Sequence, residues 1–91
     1  MDEVLIVFTS CPDAEIARRI GTTLVEQRLA ACVNVLTACT SIYRWHGTVE
    51  TAAEVPILIK THSGLYERLQ AAIRDHVAFY PDRVDAIVLE D

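Results

Sequence analysis

Residues 32–61 read CVNVLTACTSIYRWHGTVETAAEVPILIKT, and this stretch decides the fold. Val33, Val35, Ile42, Tyr43 and Trp45 precede His46-Gly47; Thr48, Val49, Val55, Ile57, Leu58, Ile59 and Thr61 follow it. β-Branched and aromatic residues on both sides of a glycine-bearing pair mark two strands around a tight turn. Each arm holds roughly 14 residues and spans about 45 Å at ~3.3 Å per residue. A compact chain of this size has a radius of gyration near ~12 Å. The hairpin therefore outreaches the body it grows from. Overhanging strands with open edges need another chain to cover them, so an oligomer is expected before any chemistry is considered.

Working outward, Val4 to Phe8 is an unbroken apolar run that suits a central buried strand. Ser10-Cys11-Pro12-Asp13 starts a helix, with Pro12 at its first position and Asp13 and Glu15 complementing the dipole. Ile16, Ile20 and Leu24, with Ala17, Gly21 and Val25, form one face of that helix through about Leu29. Gly21 on this face predicts close approach to the sheet. Within the hairpin, Thr37-Ala38-Cys39-Thr40 is weaker strand sequence and predicts a bend or bulge. Pro56 predicts an unpaired N–H, an edge or a bulge in the returning arm. Ser63-Gly64 opens a second helix with Leu65, Leu69, Ala72 and Ile73 on its apolar face, and Val84 to Leu89 is a last strand. The order β-α-β-β-α-β is the split βαβ, ferredoxin-like α+β arrangement, an antiparallel sheet with two helices on one face. The 91 residues are expected to form one domain, 1–91, around a single modest core.

Composition narrows the partners. The chain is 52% hydrophobic, high for its length, which points to apolar area buried between subunits. Eight Lys and Arg against 13 Asp and Glu give a net charge of −5. An acidic surface disfavours nucleic acid and anionic membranes and favours cations. No apolar run reaches the ~18 residues of a membrane span. Met1-Asp2-Glu3 is acidic and enters a strand at once, so no targeting peptide is expected. The three cysteines, Cys11, Cys32 and Cys39, are odd in number and lack CxxC spacing, which fits free thiols in a reducing, cytoplasmic setting.

Cys11 stands just before the first helix, where the dipole favours the thiolate that binds metals or attacks electrophiles. Asp13 and Glu15 oppose that shift, and the plainer reading is a small residue in a strand–helix turn. Cys32 and Cys39, in strand sequence, read as buried apolar side chains. His46 at the hairpin tip and His62 after the second arm read as solvated. His76 ends the second helix, where the dipole favours its charged form. Glu50 and Glu54 share one strand face and read as solvated. Tyr43 and Trp45 share a face and suit an interface. No glycine-rich phosphate loop and no aromatic-basic RNA signature is present.

Several of these segments resemble the CutA divalent-cation tolerance family. They are Phe8-Thr9-Ser10-Cys11-Pro12-Asp13, Arg28-Leu29-Ala30-Ala31-Cys32-Val33-Asn34, Thr40-Ser41-Ile42-Tyr43-Arg44-Trp45-His46-Gly47, and Glu54-Val55 with Ile57-Leu58-Ile59-Lys60-Thr61. The resemblance implies a ferredoxin-like protomer and a tight homotrimer joined through the long hairpins, with Tyr43, Trp45 and Gly47 in the assembly. It implies a non-catalytic role in tolerance to divalent metals, copper foremost. Cys11 and His76 match the family's cysteine and histidine and are its metal-ligand candidates; thiolate and imidazole suit copper. Two other readings stay open. One is a sensor like the trimeric PII proteins, holding a small effector between subunits and signalling to a partner protein. The other is a thiol enzyme using Cys11 and His76.

Overall fold

The computed structural model describes residues 2–76 and 84–89, with the side chains of His76 and of 84–89 outside the described set. The chain runs β1 (Val4–Cys11), α1 (Ala14–Glu26), β2 (Cys32–Val35), β3 (Cys39–Trp45), β4 (Thr48–His62), a 3-10 turn (Ser63–Leu65), α2 (Tyr66–His76) and β5 (Val84–Leu89). The sheet order is β2-β4-β1-β5, with β3 also on β4 and every pair antiparallel. This is the expected ferredoxin-like α+β fold, with the first arm of the hairpin divided into two strands.

The division has a readable cause. Val35 stands opposite Ile57, whereas Cys39 stands opposite Glu54. Four steps on one arm therefore match three on the other, which is a bulge between 35 and 39. Pro56 lies across from it; lacking an N–H, it donates nothing there, while its carbonyl accepts from Leu36 N at 3.0 Å. The expected bend and the expected irregularity at Pro56 are one feature. A bulge of this kind bends and twists the strand pair, here about midway along the 15 residues of β4.

Period-two alternation sets the layers. Leu5, Val7, Thr9 and Cys11 on β1 are opposite Thr61, Ile59, Ile57 and Val55 on β4, and all eight are buried. Ile20 and Leu24 of α1 and Leu69 and Ile73 of α2 join this core. Gly21 lets α1 close on β2, since a Cβ there would sit 3.1 Å from Val33 Cγ1. The other face of the sheet carries Val4, Ile6, Phe8 and Leu58, none fully buried, with Val4 48% exposed. Among the described residues β1 is thus central in the sheet yet covered on one face by its own chain. The expectation of a fully buried strand is corrected because both helices pack on the same side.

The element ends depart from the sequence reading in two places. Asp13, not Pro12, begins α1: it is the N-cap, and its Oδ1 accepts from Ile16 N at 2.9 Å. α1 stops at Glu26 rather than near Leu29 because Arg28 turns left-handed at φ 59°, and Leu29 N donates back to Leu24 O at 2.9 Å.

Candidate functional site

Cys11 is the last residue of β1 and points into the core, with no exposed surface. Burial, then the carboxylates of Asp13 and Glu54, push its thiol up from 9.0 to about 11. The lowered pKa expected from a position near the helix start is therefore corrected. The dipole is outweighed by loss of water and by two nearby negative charges. At neutral pH Cys11 is a protonated thiol.

Glu54 is the residue that sequence reasoning missed. Its side of β4 was expected to be solvated, yet it is 2% exposed, whereas Glu50 is exposed. The available signal was its place at the head of the apolar run Val55-Pro56-Ile57-Leu58-Ile59. Cys39, expected inside, is exposed, because β3 lies on the overhang beyond the helices; Cys32 is half-buried. All three cysteines are free. His62, expected in a solvated loop, closes β4 with Nδ1 3.0 Å from Asp2 Oδ2. His76 closes α2, and its side chain lies outside the described residues. Among the described residues, no three His, Cys, Asp or Glu side chains gather as an ion-holding set.

The hairpin residues do come together. β3 and β4 pair from Cys39–Glu54 out to Trp45–Thr48, so Tyr43, Trp45, Glu50 and Glu54 share one face. The loop is two residues with positive φ at both, His46 at 48° and Gly47 at 79°, the signs of a type I′ turn that matches strand twist. Trp45 packs edge-on against the His46 ring at 4.6 Å. Ile42, Val49 and Trp45 are 70%, 61% and 60% exposed, so the overhang is apolar on both faces.

The model of the CutA1 divalent ion tolerance protein family matches residues 5–88. The chain belongs to this family. It is 41% identical over 88 residues to the divalent-cation tolerance protein CutA of Thermus thermophilus, covering 97% of this chain and 81% of that one. It is 39% identical over 87 residues to human protein CutA, covering 96% of this chain. The chain spans 49% of the length of that relative and of the mouse one. The crystal structure of CutA1 from Shewanella sp. SIB1 superposes with a TM-score of 0.92 at 37% identity, covering 98% of this chain and 83% of that one. The CutA1 match takes in the Cys11 strand end, the Arg28–Asn34 segment and the whole hairpin. No helix among the described residues is long and apolar enough to cross a membrane.

Proposed function

We propose that this chain serves divalent-cation tolerance as a non-catalytic cytoplasmic homotrimer of single-domain protomers, binding a divalent cation, copper foremost. The family match over residues 5–88 carries this reading. Trimer assembly is supported by the apolar overhang, with Trp45 at 60% exposure, and by the outer edges of β2 and β3, which pair with β4 alone among the described residues. Tyr43, Trp45 and Gly47 belong to that contact.

Cys11 and His76 are the proposed metal ligands on donor chemistry, a soft thiolate with an imidazole. A thiol held up at about 11 imposes a condition. The metal must displace its proton and reach a buried sulfur, so binding should strengthen with pH and release protons. The same burial supports a non-catalytic role, because a protonated core thiol is a poor nucleophile.

The test is calorimetric titration with Cu(II) and, separately, Zn(II), on protein whose mass is fixed by light scattering. Saturable copper binding at an integral ratio per trimer, weakened in C11S and H76A, supports the reading. Unchanged affinity in both variants removes the ligand pair. Weak, unsaturable heat together with a thermal shift from a small organic effector replaces the metal role with the PII-like sensor.

A further inference from the structure

We infer that a cavity at the end of α1, where Arg28, Lys60 and His62 meet, is a binding site for a small organic anion carrying a phosphate or carboxylate on an apolar body. The cavity is about 480 Å³, and Val4, Val25 and Leu65 supply apolar wall. That volume suits a small ligand, and apolar walls with a few convergent charges are what such a site needs.

Three observations carry the assignment. The first is backbone conformation. Arg28 holds φ 59°, a left-handed position at a helix end where glycine is the unstrained residue. An arginine there accepts backbone strain at a position that lines the cavity, and such departures cluster at ligand sites.

The second is how firmly this corner is pinned. Leu29 N and Ala30 N both donate to Leu24 O, at 2.9 and 3.2 Å. Ala31 N donates to Lys60 O at 2.8 Å, and the buried Thr61 Oγ1 donates to Leu29 O at 2.7 Å. Residues 29–31 are thereby tied to β4 at Lys60 and Thr61. A site that need not reorganise binds without that entropic penalty.

The third is charge. The chain carries −5 overall, yet this cavity gathers an arginine, a lysine and a histidine. Among the described residues neither Arg28 nor Lys60 has an ion pair. The nearby Asp2 carboxylate lies 3.0 Å from His62 Nδ1 and accepts from the Ser63 hydroxyl at 3.4 Å, which leaves Arg28 and Lys60 as the charges open to an anion. A planar guanidinium and an ammonium lining one cavity suit an oxyanion, bidentate on the arginine. The Arg28-Leu29-Ala30-Ala31 segment has no part in the metal reading, and this site gives it one.

The test is amide-shift titration of the full chain by NMR with phenyl phosphate, benzoate and inorganic phosphate, repeated on R28G and K60Q. Glycine accepts the left-handed turn, so R28G should melt no lower than the parent while losing the guanidinium. The expected result is saturable shifts at 28–31 and 60–62 with phenyl phosphate or benzoate, and about tenfold or greater weakening in each variant. The stronger of the two probes identifies the oxyanion. Absence of saturable shifts at these residues, or parent-like affinity in both variants, overturns the inference. Equal binding of inorganic phosphate and phenyl phosphate overturns the organic-ligand assignment, because the apolar wall would then take no part.

Discussion

At the scale of single residues, the three thiols should separate by reactivity. Cys39 is exposed, Cys32 half-buried and Cys11 buried. Iodoacetamide at neutral pH, followed by peptide mass mapping, should label Cys39 first and Cys11 last. The Cys11 thiol also ties stability to pH. It ionises near 9.0 when unfolded and near about 11 when folded, so the unfolded chain gives up this proton first. The stability it contributes is whole below pH 9.0 and declines as pH rises toward about 11. Melting temperatures across that window should fall less steeply in C11A than in the parent. Thr61→Val should cost about 1–3 kcal/mol in denaturant unfolding, since Leu29 O would lose its buried donor and gain none. The sequence reading finds Cys11 at the strand–helix junction but not its protonation. Which face of β1 meets the helices is settled by residues dozens of positions away, and that face determines whether the sulfur sees water. Glu54 escapes the same reading because burial of one glutamate in a strand leaves no periodic mark.

At the scale of elements, two glycines test two different mechanisms. Gly21 is a matter of space, with Val33 Cγ1 only 3.1 Å from a Cβ placed there. Gly21→Leu should therefore destabilise by about 1–3 kcal/mol, read from equilibrium unfolding, by forcing α1 off β2. Gly47 is a matter of backbone. Nothing lies within 4 Å of its would-be Cβ, but φ is +79°. Gly47→Val should cost about 1–2 kcal/mol, confined to the hairpin. Trp45→Ala should leave protomer folding nearly unchanged, because the side chain is 60% exposed, and should weaken assembly. Light scattering over a dilution series checks this, and an unchanged mass profile would count against the hairpin contact. Much of this level is legible in the sequence. The turn at His46-Gly47, the helix faces and the irregularity near Pro56 follow from local chemistry. The exact place of the one-residue register change, between Val35 and Cys39, does not, because it depends on how β4 pairs with β1 while also pairing with β2 and β3. The left-handed Arg28 is hidden too, since nothing in that residue type announces the conformation.

At the scale of the whole molecule, β4 is partner to β1, β2 and β3. Its pairing with β3 closes through two residues, whereas its pairing with β1 joins positions as distant as Val4 and His62. Short loops close at far smaller entropic cost than long ones. The overhang should therefore form early in folding and the β1–β4 ladder later. Pulse-labelled hydrogen exchange should show early protection in residues 42–51, and equal timing across β4 would contradict this order. The earliest structure is then the part with least contact to its own protomer and most apolar surface turned outward. For a time the nascent chain displays its adhesive arm before it has a body, so chain concentration during folding decides whether the arms find their intended neighbours or one another in disorder.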